Sequence, residues 1–247
     1  MMKKNLLIIL AGGTGSRIDG DLPKQFLILS GKTILQHSIE KFEHHPCIDH
    51  IFLVIHEKFL NKAGEIVRNS GHKKVVKILP GGQTRQESSR IGVTAASPGE
   101  YENVLIHDAA RPFVSKKIID DIFAALNTYE AVNIAVPSPD TIIEINDKNL
   151  VKNVPDRKYL RRVQTPQGFK WDLMQKAHRL ALEKGITNAT DDCSLILTFK
   201  LADIYVVEGS EKNIKITYPP DIHIAKKILK IEDQPGWSRE DTPIDAK

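Results

Sequence analysis

The chain has 247 residues, 41% hydrophobic and 27% charged, so it is long enough to bury a full core and its composition argues against disorder. Its formal net charge is only +4, and its Lys and Arg residues are interspersed with Asp and Glu, which favours small anionic ligands over nucleic acid. No apolar run approaches the roughly 20 residues that span a bilayer. Two cysteines cannot build a disulfide framework, so we expect a cytoplasmic protein. The charge pattern and the short apolar runs lead us to expect that it binds neither nucleic acid nor membrane.

The first predicted element is a buried strand at residues 6–9, which leads into a glycine-rich segment at residues 10–24. The basic and apolar start imitates a signal peptide, but the apolar run is too short and ends in glycines. A strand followed by a glycine turn presents backbone N–H groups to a polyphosphate. Arg17 and Lys24 add a fork-shaped donor and a point charge, so the segment predicts a triphosphate-binding loop.

Helix-type and strand-type patterns alternate through most of the remaining chain. The predicted helices cover residues 33–45, 59–69, 84–96, 116–129, 171–184, 191–199 and 220–231, and further strands cover 51–55, 74–79, 104–106, 132–136 and 204–207. This alternation predicts an α/β, Rossmann-like fold with a mostly parallel sheet and helices on both faces. Ligands bind at the carboxyl ends of such strands, where the glycine loop, Gly82 and Asp108 should lie.

Residues 139–160 interrupt the alternation. Two short β-type runs, 141–145 and 150–154, flank a turn and predict a β-hairpin arm inserted into the fold. An isolated hairpin is marginal in water, so packing against a second subunit would stabilise it and a homodimer is expected. We assign residues 1–231 to a single domain that includes this arm, and residues 232–247 to a polar C-terminal tail.

Several alternative sites are disfavoured by their spacing. Gly15 is not followed by the third glycine of a dinucleotide fingerprint, and no Walker lysine motif is present, so an oxidoreductase and a P-loop protein are both disfavoured. The His- and Cys-containing segment at residues 44–50 has no second cluster to complete a zinc site. Asp19 and Asp21 are interpreted as turn residues, and Cys193 as a buried thiol without a base.

Six blocks in order give a more specific signal. They are LAGGTGSR with PKQF, GGQTRQES, HDAARPFV, DRKYLRRVQTPQGF, TDDCSL and NIKIT. Over residues 4–230 the sequence resembles the 2-C-methyl-D-erythritol 4-phosphate cytidylyltransferase family, and ribitol-5-phosphate cytidylyltransferases share most of these blocks. HDAARPF and RQES favour the first family, whereas the double glycine of AGG favours the second.

The resemblance implies transfer of CMP from CTP to 2-C-methyl-D-erythritol 4-phosphate. Pyrophosphate would be released and 4-diphosphocytidyl-2-C-methyl-D-erythritol would be formed for non-mevalonate isoprenoid synthesis, with Mg²⁺ bound to the triphosphate. The alternative is synthesis of CDP-ribitol for cell-surface polymers. A catalytically silent nucleotide-binding module is a third hypothesis, which the joint presence of phosphate loop, arm and Lys215 disfavours.

The resemblance also assigns roles to residues. Fixed cations stabilise the charge that develops around phosphorus, and the implied catalytic residues are Arg17, Lys24, Lys215 and Arg157. The implied nucleotide-binding residues are Ala11, Gly12, Gly13, Gly15, Arg17, Lys24, Gly82, Gln83, Ser88 and Asp108. The implied contacts of the polyol phosphate are Asp108, Arg111, Thr141, Arg157, Thr165 and Lys215, with Asp108 as a metal ligand. A purely local alternative pairs Asp108 with Arg111 in a strand-ending turn.

In the family the arm is exchanged between subunits, so Arg157 is expected to reach the neighbour's site. Locally, Arg157 could instead form only an ion pair with Asp156. Gln83 replaces an acidic residue that some members carry near the base. Lys212 stands where some members have a metal-binding carboxylate, and Glu211 is a candidate substitute.

Overall fold

The structure is a computed structural model that describes residues 3–13 and 22–232. Its strands are β1 (Lys4–Ala11), β2 (Ile28–Leu29), β3 (Lys32–Thr33), β4 (His50–Ile55), β5 (Val75–Pro80), β6 (Tyr101–Asp108), β7 (Ala131–Pro137), β8 (Glu144–Ile145), β9 (Val151–Asn153), β10 (Arg161–Lys170) and β11 (Ile204–Glu208). Its helices are α1 (Ile34–Glu43), α2 (Leu60–Ser70), α3 (Arg85–Thr94), α4 (Lys116–Leu126), α5 (Trp171–Glu183), α6 (Asp192–Thr198) and α7 (Pro219–Glu232). Within the described ranges, no helix combines the length and hydropathy of a membrane span.

The main sheet has seven strands in the order β11-β7-β10-β6-β1-β4-β5. Six of them are parallel to one another, and β10 runs antiparallel to both of its neighbours, β6 and β7. The predicted mostly parallel α/β sheet is therefore confirmed. Because β1 and the central strand β6 are parallel neighbours, their carboxyl ends open onto the same edge of the sheet.

Helices cover both faces of this sheet. In β1, every residue from Leu6 to Ala11 is therefore buried. Leu7 and Ile9 pack into one core with residues of α1, α2 and α4. Leu6 and Ile8 point to the opposite face and pack with residues of α3, α5 and α6. Two covered faces explain the continuous apolar run, since side chains alternate between the faces of a strand.

Strand β10 is the main element that the sequence pattern fails to predict. Its middle carries Gln164 and Gln167 in place of alternating apolar residues, and both side chains are buried. Gln164 accepts a hydrogen bond from Asn213 Nδ2 at 3.2 Å and donates to the carbonyl oxygen of Ser210 at 2.8 Å. These polar side chains bond distant segments to the sheet. Their buried polar atoms have hydrogen-bond partners that no local sequence pattern reveals.

The predicted hairpin arm is present but shorter than expected. Its strands, β8 and β9, pair antiparallel in a two-stranded sheet of their own. All of their residues are exposed, and Ile145 and Val151 have 53% and 59% of their surface accessible. The arm therefore leaves apolar surface uncovered in the single chain.

Candidate active site

A cavity of about 400 Å³ opens at the carboxyl edge of the sheet, where β1, β5 and β6 end. Its walls comprise Leu10, Ala11, Gly12, Gly13, Lys24, Gln25, Gly82, Gln83, Thr84, Arg85, Ser88, Asp108, Ala109, Ala110 and Lys215. All eight predicted nucleotide-binding residues in the described ranges are in this set, together with Lys215. The other two, Gly15 and Arg17, lie outside the described residues.

The first wall is the start of the glycine loop. Gln25 is 2% exposed and its Nε2 donates to the carbonyl oxygens of Ala11 at 2.7 Å and Gly13 at 3.2 Å. A Cβ atom at Gly12 would lie 3.3 Å from the hydroxyl of Ser88, so glycine allows the loop to approach the next wall closely. Gln25 is a supporting residue that the sequence analysis did not single out.

The second wall is the turn that begins α3. Ser88 Oγ accepts a hydrogen bond from the Gly82 N–H at 3.1 Å and donates to the carbonyl oxygen of Thr84 at 3.0 Å. The backbone N–H of Gln83 donates to Glu87 Oε2 at 2.8 Å, and Thr84 caps α3. These bonds give the turn a fixed shape, so Ser88 supports the wall in addition to its predicted nucleotide contact.

Asp108 ends β6 and is bonded to two cations. Its Oδ1 accepts a hydrogen bond from Arg85 Nε at 3.0 Å, and its Oδ2 accepts one from Lys215 Nζ at 2.7 Å. Burial alone would raise the pKa of Asp108, but the charges and hydrogen bonds of Arg85 and Lys215 outweigh it and hold that pKa well below its usual range. Asp108 is therefore an anion at neutral pH.

The local pairing of Asp108 with Arg111 is wrong. The guanidinium of Arg111 instead donates to the carbonyl oxygens of Asn213 at 2.8 Å and Val163 at 3.3 Å. Only the backbone N–H of Arg111 reaches Asp108, at its carbonyl oxygen. Arg111 therefore links three segments beside the cavity without lining it.

Arg85 is the residue that sequence reasoning missed. It lies in the quoted block GGQTRQES, yet its partners are 23 and 107 residues away, and no local pattern points to them. Its Nη1 donates to Asp192 Oδ2 at 2.7 Å, while its Nε binds Asp108. One guanidinium thus joins a wall residue of the cavity to a carboxylate at the start of α6.

The two predicted catalytic lysines of the described residues lie on one side of the cavity. Lys24 Nζ donates to the carbonyl oxygen of Ile216 at 2.9 Å, next to Lys215 in sequence. The Ile216 N–H donates to the Ala110 carbonyl oxygen at 2.9 Å, which fixes this segment to the end of β6. Two cations from distant parts of the chain therefore converge on the same cavity.

Thr165 lies behind Asp108 and does not line the cavity. Its hydroxyl accepts the Asp108 N–H at 3.0 Å and lies 3.2 Å from His107 Nδ1. Burial lowers the pKa of His107 to about 4, more than the neighbouring Asp108 charge raises it, so the imidazole is neutral at pH 7. The structure gives Thr165 a supporting contact, and its binding of substrate stays a prediction.

Thr141 and Arg157 lie on the arm and are exposed. Arg157 begins a 3-10 turn, Arg157–Tyr159, and its Nη1 donates to the carbonyl oxygen of Pro139 at 3.1 Å. Lys158, and not Arg157, forms the ion pair with Asp156. Neither Thr141 nor Arg157 lines the cavity of its own chain.

A magnesium site built by the protein alone does not fit this cavity. The described residues contain no group of three or more metal-binding side chains, and both oxygens of Asp108 are bonded to cations. Glu211 binds Arg162 through both of its carboxylate oxygens and does not line the cavity. Magnesium often binds through substrate phosphates with one or two carboxylates, so an ion here would depend on the nucleotide.

Known proteins are similar to this chain in sequence and in fold. The family model of 2-C-methyl-D-erythritol 4-phosphate cytidylyltransferase matches residues 6–231. The 2-C-methyl-D-erythritol 4-phosphate cytidylyltransferase of Thermobifida fusca is 37% identical over 230 residues, covering 90% of this chain and 92% of that protein. A bifunctional ribulose 5-phosphate reductase/CDP-ribitol pyrophosphorylase of Haemophilus influenzae is 39% identical over 231 residues, which cover 92% of this chain but 48% of that protein.

Among solved structures, the 4-diphosphocytidyl-2C-methyl-D-erythritol synthase of Anaerococcus prevotii has a TM-score of 0.81 with this chain at 31% identity. The match covers 92% of this chain and 99% of that one. The similarity therefore extends over nearly the whole fold.

Proposed function

Since the chain belongs to the 2-C-methyl-D-erythritol 4-phosphate cytidylyltransferase family, we propose that it transfers CMP from CTP to 2-C-methyl-D-erythritol 4-phosphate. The observation that carries this proposal is the cavity at the sheet edge. There, glycine backbone, Asp108 and the two lysines Lys24 and Lys215 line one space of about 400 Å³. Such a combination suits a phosphate chain with a nucleoside attached.

In the proposed reaction a phosphate oxygen of the polyol phosphate attacks the α-phosphorus of CTP. The bond from that phosphorus to the bridging oxygen breaks, pyrophosphate leaves, and the two substrates become joined through a new diphosphate. Negative charge increases on the oxygens around phosphorus in the transition state, so fixed cations lower the barrier. Lys24 and Lys215 supply these cations, and Arg17 is the third one that the sequence predicts.

The two lysines are preorganised for this task. Lys24 is held by the carbonyl oxygen of Ile216, and Lys215 by the carboxylate of Asp108. Donors that are already in position need not reorganise when charge develops, which is why they stabilise a transition state more than mobile ones do. The anionic state of Asp108 is therefore part of the proposed mechanism.

Mg²⁺ is the proposed cofactor, carried by the phosphates of CTP. Bound there, it would neutralise charge on the triphosphate. Chelation with excess EDTA should stop pyrophosphate release, and added Mg²⁺ should restore it. Full activity in EDTA would remove Mg²⁺ from the proposal while leaving the proposed reaction intact.

The proposed assembly is a cytoplasmic homodimer in which the arms are exchanged. Large apolar side chains along the arm, including Ile143, Leu150 and Tyr159, are 49%, 61% and 76% exposed. Apolar surface of this extent on a two-stranded hairpin favours coverage by a second copy. Arg157 and Thr141 would then complete the neighbour's site and bind the polyol phosphate.

Synthesis of CDP-ribitol is the second candidate, supported by the similarity to the Haemophilus influenzae protein and by the Gly12-Gly13 pair. The family model and the Thermobifida fusca relative favour the methylerythritol substrate. Pyrophosphate release with CTP and each polyol phosphate, measured side by side, separates the two. We expect higher kcat/KM with 2-C-methyl-D-erythritol 4-phosphate. Preference for ribitol 5-phosphate would overturn the substrate assignment.

A further inference from the structure

We propose that Asp192 and Arg85 are positioning residues that hold Asp108 and, through it, Lys215 in the orientation needed for transfer. This inference rests on the proposed cytidylyl transfer and extends it to two residues outside the predicted site. Arg85 lines the cavity, whereas Asp192 does not, so Asp192 acts only through other side chains.

Four side chains of alternating charge form one continuous series of hydrogen bonds from the interior to the cavity. Asp192 Oδ2 accepts a hydrogen bond from Arg85 Nη1 at 2.7 Å, and Arg85 Nε donates to Asp108 Oδ1 at 3.0 Å. Asp108 Oδ2 in turn accepts one from Lys215 Nζ at 2.7 Å. This hydrogen-bonded series thus joins α6, the start of α3, the end of β6 and the segment before α7.

The Asp192 end of this series of charged side chains is the more firmly held one, because it is buried and bonded to further residues. Asp192 is 1% exposed, and its Oδ1 accepts a hydrogen bond from the hydroxyl of the fully buried Ser89 at 2.5 Å. The backbone N–H of Asp192 donates to Gln167 Oε1 at 3.1 Å. Each carboxylate oxygen of Asp192 therefore has its own donor, and the guanidinium of Arg85 is bonded to Asp192 on one side and to Asp108 on the other.

Lys215, at the cavity end of the series, is the side chain that needs other residues to hold it in place. The Lys215 side chain is 41% exposed, and a lysine on its four-carbon stem is flexible unless an anion holds its ammonium group. Asp108 holds it, but a carboxylate paired with Lys215 alone could rotate with it. Arg85 prevents that rotation, and Asp192 fixes Arg85. A displacement of about 1 Å in a catalytic group can cost on the order of 10²-fold in rate.

The test is a double-mutant cycle between Asp192 and Lys215, with pyrophosphate release as the readout. In the wild-type background we expect Asp192→Asn to lower kcat at least tenfold, with the KM for CTP changed less than threefold. In the Lys215→Ala background the same change should cost less than twofold, because the group that it positions is gone. Equal losses in both backgrounds would overturn the proposal.

A matched control is the neighbouring Asp191, which caps α6 but is not bonded to Arg85. Asp191→Asn should lower the melting temperature while leaving kcat within twofold of wild type. If Asp191→Asn lowers kcat as much as Asp192→Asn does, loss of α6 structure explains the effect and the proposal fails.

Arg85→Lys is the second variant, used in the same cycle should Asp192→Asn fail to fold. It keeps a positive charge but cannot bridge both carboxylates, so the same non-additivity with Lys215→Ala is expected. Additive losses with this variant would likewise overturn the proposal. A wild-type protein that releases no pyrophosphate would contradict the proposed function itself, whereas an active wild type with an unaffected Asp192→Asn variant would contradict only the positioning role.

Discussion

Lys24 and Lys215 approach the cavity from opposite ends of the chain. The ammonium group of Lys24 donates to the carbonyl oxygen of a residue 192 positions later, directly beside Lys215. Because that segment is also fixed to Ala110 at the end of β6, the position of each cation depends on the central sheet. At the scale of single residues, the proposed catalysis therefore depends on contacts that only the folded chain provides.

Replacing either lysine by alanine removes one fixed cation from the cavity. We expect Lys24→Ala and Lys215→Ala each to lower kcat by about 10²- to 10³-fold, the loss typical of one transition-state donor. Circular dichroism should show an unchanged fold. Lys117→Ala, which removes an 81% exposed lysine on α4, is the matched control and should keep wild-type turnover. Near wild-type pyrophosphate release by both cavity variants would contradict the mechanism.

A buried histidine gives the protein a pH-dependent stability. His178 is 1% exposed, and burial lowers its pKa to about 4, from 6.5 in the unfolded chain. Below pH 6.5 the unfolded chain therefore binds a proton that the folded chain does not, and the free energy of unfolding falls as the pH drops from 6.5 to 4. For a shift of this size the loss is roughly 3 kcal/mol.

Urea denaturation at pH 7.5, 6.5, 5.5 and 4.5 measures this loss. The His178→Gln variant should lose less stability than wild type between pH 6.5 and 4.5, whatever its stability at pH 7.5. His223→Gln, at an exposed position on α7, should follow the wild-type curve. Parallel curves for His178→Gln and wild type would show that His178 does not carry the effect.

The cavity residues were predictable because they lie in contiguous sequence blocks that follow predicted strands. Asp108 ends a buried apolar strand, and Gly82 follows another, so the architecture brings them together. The pairing of Arg85 with Asp192 was not predictable, since the two residues are 107 positions apart in sequence and meet only in the folded chain. Periodicity indicates which face of a helix is buried, but not which polar side chain lies opposite.

At the scale of elements, helix α3 carries a cavity wall at its first turn and must lie close to the sheet. Gly92 makes that approach possible, because a Cβ atom there would lie 2.6 Å from Ile8 Cγ2 and 3.2 Å from Val54 Cγ2. Both neighbours are buried residues of central strands and have little room to move. The position of the wall is therefore coupled to the packing of β1 and β4.

Gly92→Ala should destabilise the protein by about 1 kcal/mol, since overpacking of about 1–3 kcal/mol exceeds the gain in helix propensity. Gly64→Ala in α2 is the matched control. Its Cβ would lie 3.2 Å from the flexible end of Arg68 and 4.0 Å from Ile78 Cδ1, so it should gain up to about 1 kcal/mol. Thermal denaturation compares the two. Equal shifts in Tm would show that close packing of α3 is not the determining factor.

Most helices and strands could be predicted from the periodicity of apolar residues in the sequence, but β10 could not. Its residues Gln164, Thr165 and Gln167 are buried because each bonds to another segment, and such a strand has neither apolar alternation nor an apolar run. The antiparallel insertion between β6 and β7 was therefore missed. The hairpin arm, by contrast, was predictable from two β-type runs flanking a polar turn.

For the whole molecule, the proposed homodimer addresses two features of the single chain. The arm exposes apolar side chains that a second copy would cover, and Arg157 on the arm does not line the cavity of its own chain. The proposed exchange of arms accounts for both observations. It also predicts that each site contains residues of two subunits.

Mixed dimers test this exchange. A Lys24→Ala homodimer should be nearly inactive, and an Arg157→Ala homodimer should chiefly need more polyol phosphate. The assay therefore uses a low concentration of 2-C-methyl-D-erythritol 4-phosphate, at which both homodimers release little pyrophosphate. A dimer with one subunit of each type should recover one working site, in which an intact Lys24 and the partner's intact Arg157 combine. Tagged subunits, unfolded and refolded together, allow the mixed species to be purified and assayed. No recovery of pyrophosphate release in that species would contradict the exchange.

The proposed cytidylyl transfer is tested by following the α-phosphorus of CTP by ³¹P NMR in the presence of 2-C-methyl-D-erythritol 4-phosphate and Mg²⁺. We expect CTP and the phosphomonoester to disappear together. In their place should come equal amounts of pyrophosphate and a diphosphate that joins the cytidine to the polyol. Unchanged substrates, or hydrolysis of CTP to CMP with the polyol phosphate left intact, would contradict the proposed transfer.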